Sequence, residues 1–357
     1  MDLASRTTLR LGGPAARLVE AHTEAEIVAG VAEADATGEE LLLLAGGSNV
    51  VVADAGFPGL VVAIASRGIG RAEDGGRVVL SVQAGEDWDA LVARTVADGL
   101  AGIECLSGIP GSVGATPIQN VGAYGQDVAQ TVVGVRAYDR HAREVVELDP
   151  AACAFSYRSS AFKREPGRWV VLEVAFAFDV ERGSKSKPIR YAELAGKLDV
   201  GVGGRAPLVE VREAVLALRR AKGMVVDSGD PDSVSAGSFF TNPILTAKEL
   251  RTLEGRILEH LGPDVRMPRY LEADGRFKTS AAWLIEHAGF RKGHGDPATI
   301  AISSKHPLAL TNRGAGTTLQ LVALARELAE GVEAAFGISL VPEPVFVGHT
   351  WPGHAAR

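Results

Sequence analysis

Apolar and polar positions follow several distinct rhythms along this chain. Leu41–Leu44 form an unbroken apolar run, Ala45-Gly46-Gly47-Ser48-Asn49 interrupts it, and Val50-Val51-Val52 resumes it. That pattern predicts a buried strand, a tight turn and a second buried strand. Upstream, Thr23-Glu24-Ala25-Glu26 has capping-box spacing, and the helix it opens is expected to reach Gly38. Downstream, residues 60–64 read as another apolar strand, residues 71–76 as a polar turn, and residues 78–84 as the first strand of a new unit. Residues 87–98 are amphipathic, with Trp88, Leu91, Val92 and Val96 on one side; strands are expected over 131–139, 144–148 and 169–180.

Charged, glycine- and serine-containing residues 181–187 read as a loop, and the character of the chain changes after a further flexible stretch near 200–204. Leu208, Val211, Val215 and Leu218 recur at helical spacing behind Pro207, which suits the first turn of a helix. Further helices are expected after Thr246, over 280–287 and over 317–336, with short strands at 236–240 and 308–310 and a last one at 338–347. The rhythm therefore predicts an α+β chain. Its parts are residues 1–67, 68–206, 207–336 and a C-terminal strand segment, 337–357.

Composition narrows the class of protein. A chain of 357 residues, 46% hydrophobic and 23% charged, has enough material for two or three packed domains. A net charge of −7 gives no general electrostatic attraction to nucleic acid or to an anionic membrane surface. The start of the chain lacks a basic segment followed by an apolar one, and no apolar stretch approaches about 18 residues. A cytoplasmic protein without membrane insertion is expected. Cys105 and Cys153 are the only cysteines and have no metal-ligand spacing around them, so reduced, buried thiols are expected and no metal site.

Two glycine-rich stretches carry the candidate chemistry. In the turn at 45–49, two glycines permit positive φ and close approach of a ligand, while Ser48, Asn49 and the turn's N–H groups offer donors to an anion such as a pyrophosphate. Residues 102–127 add glycines at 102, 108, 111, 114, 122 and 125. Neither stretch has the form of a P-loop or of the Rossmann fingerprint, so another way of holding phosphates is implied.

The segments Ala-Gly-Gly-Ser-Asn at 45–49, Gly-Ile-Pro-Gly-Ser-Val-Gly-Ala at 108–115 and Gln-Asn-Val-Gly-Ala-Tyr-Gly at 119–125 resemble the flavin-binding segments of the UDP-N-acetylenolpyruvoylglucosamine reductases. Four further places match the same family. Tyr157-Arg158-Ser159-Ser160-Ala161-Phe162-Lys163 resembles its Tyr-Arg-x-Ser-x-Phe-Lys segment, and Ala236 to Pro243 its Ala-Gly-Ser-Phe-Phe-x-Asn-Pro. Leu340-Val341-Pro342-Glu343 resembles the closing Leu-x-Pro-Glu, with Val341 where several relatives have a second acid; Tyr191, Arg219 and Lys222 match substrate-holding positions. Tyr191 further suggests the subgroup with a tyrosine loop over the substrate. Each residue alone has a bland reading as an ion-pair, strand-end or solvated residue. Their joint occurrence in order makes the resemblance specific.

The resemblance implies a two-part p-cresol methylhydroxylase-type FAD-binding region, 1–67 and 68–206, a separate α+β substrate-binding domain, and a last strand returning to the flavin site. It places non-covalent FAD on Gly46, Gly47, Ser48, Asn49, Ile109, Pro110, Gly111, Ser112, Gly114, Ala115, Thr116 and Gly122. It implies reduction of UDP-N-acetylglucosamine enolpyruvate to UDP-N-acetylmuramate for peptidoglycan, with NADPH as donor, hydride passing from flavin N5 to C3 and a proton from Ser238 to C2. Arg158, Ser238 and Glu343 are the implied catalytic residues. Tyr157, Tyr191, Arg219 and Lys222 are expected at the substrate, with Tyr124, Asn242, Tyr270, Lys292 and His306 as further pocket candidates. The chemistry suits these residue types: a guanidinium fork neutralises charge developing into the substrate carboxylate, and a held hydroxyl can protonate a strongly basic carbanion. The alternatives are a p-cresol methylhydroxylase-type oxidase of a small alcohol or sugar, and a non-catalytic nucleotide-sugar or flavin-binding protein. The latter has no need of Arg158, Ser238 and Glu343 together.

Overall fold

The structure, a computed structural model, describes residues 2–180, 184–272 and 274–351. It comprises two compact units. One contains residues 15–47 and 57–221; the other contains 2–14, 48–56 and the described residues from 222 onward. The units interleave along the chain, whereas the parts expected from the sequence were consecutive segments.

In the first unit, strands Ala15–Ala21 and Leu41–Leu44 both pair in parallel with Phe57–Ile64, which lies between them. Parallel pairing requires a crossover, and the helix Glu24–Thr37 supplies it. Its Thr23–Glu26 capping box forms in full, and Gly38 ends it with φ 69°. Ile27, Val31 and Ala34 bury against Leu60 and Val62 of the central strand, alongside Tyr138, Val170 and Leu172.

The larger sheet of this unit is antiparallel, in the order Glu144–Leu148, Val132–Asp139, Trp169–Val180, Arg77–Gln83 and Ile69–Asp74, with Leu100–Ala101 also on the Trp169 strand. The strand Ile69–Asp74 occupies most of the expected polar turn. Only Gly75 and Gly76, at φ 56° and 84°, make the turn. Five of the strand's six residues are exposed, so this edge strand has no buried face to announce it as apolar alternation. The amphipathic helix Trp88–Ala97 starts at Asp87, whose carboxylate accepts the Ala90 N–H at 2.8 Å. Its Trp88, Leu91 and Val92 join Phe176 and Phe178 in the core. The helix Leu208–Ala221 buries Val211 and Val215 with Ile189, Leu194 and Cys105.

In the second unit, Val50–Val52 pairs in parallel with Val345–Val347. The runs on either side of Gly46-Gly47 are both strands, but they join different sheets rather than one another. The last strand is also shorter than expected. Pro342 and Pro344 have no N–H to give a ladder, and regular pairing starts at Val345. Two three-stranded sheets, Ser235–Ser238 with Ala309–Asn312 and Ile300–Ile302, and Ile244–Leu245 with Phe277–Thr279 and Arg269–Leu271, pack with helices Ala247–Leu261, Ala281–His287 and Thr318–Phe336. Leu9, Leu11 and Val51 from the N-terminal segments share this core with Phe239, Leu328, Phe336, Phe346 and Trp351.

Both cysteines are buried and free. Burial pushes the Cys153 thiol up to about 11. Among the described residues no helix is long and apolar enough to cross a membrane, and no group of three His, Cys, Asp or Glu could hold a metal ion.

Candidate active site

The first unit holds two backbone segments in close contact. A Cβ on Gly46 would lie 2.6 Å from Gly111 Cα and 3.0 Å from Ser112 N, so only glycine fits there. The Gly46 N–H donates to Ser112 Oγ at 3.2 Å. Gly114 is pressed against Ala84 in the same way, 2.5 Å from a would-be Cβ to Ala84 Cβ, and its N–H donates to Ala84 O at 2.8 Å. Trp88 N–H to Gly111 O and Val113 N–H to Glu86 O fix the second segment onto the start of the Trp88–Ala97 helix. Within this frame Gly47 has φ 59°, and the N–H groups of Gly47, Ile109, Gly111 and Ser112 find no acceptor among the described residues. Gly47 and Ser112 are buried. Buried main-chain donors are nearly always satisfied, so such a set suits an anionic ligand. The residues therefore fit the diphosphate of FAD.

Arg158 lies in this unit with φ 51°, in a turn in which Ser156 and Ser159 exchange main-chain hydrogen bonds of 2.9 and 3.2 Å. Its Nη2 donates to Gly122 O at 2.9 Å and its Nη1 to Asn120 O at the long limit of 3.5 Å. The Tyr157 ring centroid is 5.6 Å from the guanidinium carbon. A Cβ on Gly122 would fall 3.0 Å from both Asp127 Cβ and Gln126 O, and 3.4 Å, an ordinary contact distance, from Arg158 Nη1. Burial raises the Asp127 carboxyl above its ordinary value, partly offset by hydrogen bonds from Gln130 and the Arg158 charge.

Tyr124 and Tyr191 also meet in this unit, edge to face at 5.3 Å. Arg219, in the last turn of the Leu208–Ala221 helix, is 8% exposed. Burial lowers its pKa, with the Tyr124 and Asp89 charges acting the other way. The Asp89 carboxylate takes two hydrogen bonds from Arg212, 2.6 and 2.8 Å, and one from the Gly108 N–H at 2.6 Å. Asp89 thus ties the glycine segment to the helix that carries Arg219.

In the second unit, Ser238 ends its strand opposite Ala309 and follows Gly237 at φ 74°. Phe239 N–H donates to Leu308 O at 2.7 Å, Glu343 N–H donates to Phe239 O at 2.8 Å, and Phe240 bridges to Pro342. Glu343 is thereby held beside the segment carrying Ser238. Asn49 holds the same place from its other side, donating Nδ2 to Glu343 O at 3.3 Å and accepting the Val345 N–H at 2.9 Å. Asn242 Oδ1 accepts the Ala281 N–H at 3.0 Å, which spends that oxygen on a helix start. His306 is half-buried in the turn closed by Ser303, Lys222 is half-buried, and Tyr270 and Lys292 are exposed.

Sequence reasoning gave no role to Asn120, Lys163, Asp89 or Arg212. Asn120 and Lys163 stand inside the quoted motifs, so a signal was available for them. Asp89 and Arg212 are isolated charges with none.

In the first unit, a glycine cradle suited to a flavin diphosphate points to an FAD-binding protein. Residues 15–148 match the family described as FAD binding domain, and residues 230–347 match the UDP-N-acetylenolpyruvoylglucosamine reductase C-terminal domain. The chain is 56% identical to the UDP-N-acetylenolpyruvoylglucosamine reductase of Thermobifida fusca, covering 98% of both chains, and 57% identical to that of Streptomyces avermitilis, covering 97% of this chain and 93% of the relative. The fold is similar to the crystal structure of the Thermus caldophilus reductase, with TM-score 0.63, 23% identity and 97% of each chain covered. The chain belongs to the UDP-N-acetylenolpyruvoylglucosamine reductase family.

Proposed function

We propose that this chain uses NADPH to reduce the enolpyruvyl double bond of UDP-N-acetylglucosamine enolpyruvate, yielding UDP-N-acetylmuramate for peptidoglycan synthesis in the cytoplasm. The observation that carries this reading is identity above half to reductases of that name over nearly the whole chain. FAD, when bound, supplies hydride transfer from nicotinamide to the enolpyruvyl C3. Gly46, Gly47, Ser48, Asn49, Ile109 to Ser112 and Gly114 to Thr116 hold and orient it.

The remaining work belongs to side chains. Charge that develops at C2 spreads into the substrate carboxylate, and a preorganised guanidinium there stabilises it; Arg158 has that part. Ser238 delivers the proton to C2, and Glu343 sits beside it as the carboxyl partner of that step. Arg219, Lys222, Tyr191, Tyr124 and Tyr157 hold the nucleotide-sugar, with Asn242, Tyr270, Lys292 and His306 as peripheral members. The desolvation of Arg219 supports its part, because a cation stripped of water gains most from meeting a diphosphate.

Anaerobic stopped-flow absorbance on the purified holoprotein tests the reading. NADPH should bleach the flavin band, the enolpyruvyl substrate should restore it, and mass spectrometry should find a product that has gained two hydrogens. Flavin reduction by a small alcohol, with oxygen but not the enolpyruvyl compound restoring the band, would replace it with the oxidase reading.

A further inference from the structure

Arginine is an unusual choice for the position that Arg158 occupies. Its φ of 51° lies in the left-handed region, which a residue with a Cβ enters at an energetic cost. The chain holds it there from three directions. Ser156 and Ser159 close the turn through their main chains. Lys163 Nζ donates to the carbonyl of Arg158 itself at 3.0 Å. Asn120 Nδ2 donates to Ser156 O, at the start of the turn, at 3.2 Å.

Asn120 does more than hold one carbonyl. It is 6% exposed and has a left-handed backbone of its own, φ 47°. Its side-chain oxygen accepts the Ala129 N–H at 3.1 Å, which fixes the orientation of the amide. Its main-chain oxygen is the long-range acceptor of Arg158 Nη1, two residues before the Gly122 carbonyl that takes Nη2 at 2.9 Å. The contact is therefore reciprocal: the side chain of Asn120 grips the turn that carries Arg158, and the main chain of Asn120 receives the guanidinium. Every donor and acceptor of this clasp lies in the first unit.

We infer that Asn120 is a positioning residue for Arg158, locking the 156–159 turn to the 119–125 segment so that the guanidinium is oriented before substrate arrives. Lys163 is its helper at the Arg158 carbonyl. The inference rests on the proposed part of Arg158 and adds to it the means by which that part is secured.

The test uses full-length holoprotein with Asn120→Ala, Arg158→Ala and the double variant, following flavin reduction by NADPH and reoxidation by the enolpyruvyl substrate separately. Asn120→Ala should slow reoxidation by about 10-fold to 100-fold, as expected when a catalytic group is displaced by an ångström or so. Reduction should stay within about twofold of the parent rate, since that step makes no demand on Arg158. The decisive readout is non-additivity: once Arg158 is gone, removing Asn120 should slow reoxidation no further. Multiplying effects in the double variant, or equal slowing of both half-reactions in Asn120→Ala, would overturn the inference while leaving the proposed function in place. If Arg158→Ala itself reoxidises at the parent rate, the part given to Arg158 falls and the inference falls with it. Should Asn120→Ala purify without FAD, Lys163→Gln and Lys163→Leu carry the same test. The neutral donor Gln should retain more reoxidation than Leu, and equal rates in the two would overturn the inference.

Discussion

Ser238 is a poor acid by its ordinary pKa, and the proposed reaction gives it a strongly basic carbanion to protonate. Its strand ends at Gly237 and Ser238, and the next N–H donates to Leu308 O, which anchors the backbone that carries the hydroxyl. Removing it should separate the two halves of the catalytic cycle. In Ser238→Ala, bleaching by NADPH should proceed near the parent rate, and reoxidation by the enolpyruvyl substrate should fall by roughly 10²-fold to 10⁴-fold, the range of a positioned proton donor. Ser238→Cys should keep more of the rate. Equal slowing of both halves in stopped-flow absorbance would mean that Ser238 serves the fold or the flavin. At this scale the short motifs that hold the proposed catalytic residues Arg158, Ser238 and Glu343 were legible in the sequence. The support around them was not, because Asn120 reaches Ser156 across 36 positions and nothing local marks that pairing.

Elements with a buried face were legible for a simple reason: burial imposes a period. The helices after Thr23 and Thr246 carry both capping box and apolar stripe, and the strand Trp169–Val180, with Val174, Phe176 and Phe178 in the core, has the expected bounds. The exposed strand Ile69–Asp74 and the short strands Arg269–Leu271 and Phe277–Thr279 were not, since three residues offer too little alternation to read. The glycine cradle gives a prediction at this scale. Gly46→Ala forces a methyl group into the Gly111 backbone, so FAD affinity should fall by about 10-fold or more, each factor of ten being 1.4 kcal/mol. Gly255→Ala, in the Ala247–Leu261 helix with nothing within 4 Å of the new Cβ, should instead stabilise by about 1 kcal/mol and leave FAD content unchanged. The ratio of flavin to protein absorbance and the melting temperature decide both. Asp89, which joins the cradle to the Leu208–Ala221 helix, adds a pH dependence. Burial alone would raise its carboxyl, but the Arg212 pair and the Gly108 N–H reverse this and hold it below its ordinary value. A carboxyl depressed in the folded state contributes stability above its unfolded pKa, about 3.9, and loses it as pH falls through the folded value. Asp89→Asn should therefore melt lower than the parent at pH 7, with the gap closing below about pH 4. A gap that holds constant across that range would remove Asp89 as a charged tie.

At the scale of the molecule, local pattern gives out, because the connections that make the second unit are the most distant in the chain. Val50–Val52 pairs with Val345–Val347, Thr318 N–H donates to Asp54 Oδ1 at 2.7 Å, and Asn312 Nδ2 donates to Leu9 O at 3.0 Å. The two N-terminal segments are thus built into a core otherwise made of residues beyond 222, while residues 15–47 and 57–221 keep cores of their own. Separate cores predict unfolding that is not a single two-state transition. Trp351 offers a way to address one core alone. It is 6% exposed, meets Phe240 at 6.1 Å and Phe346 at 5.7 Å, and belongs to the second unit. Trp351→Ala should cost that unit about 3–5 kcal/mol, moving its transition in guanidinium to lower concentration. Most of the residues proposed to hold FAD, Gly46, Gly47 and those of 109–116, belong to the first unit, so FAD release, followed by the rise in flavin fluorescence, should shift less than that transition. The two probes should therefore separate further in the variant than in the parent. A common shift of both midpoints would mean that the units unfold together, with the Trp351 core securing the flavin region as well as its own.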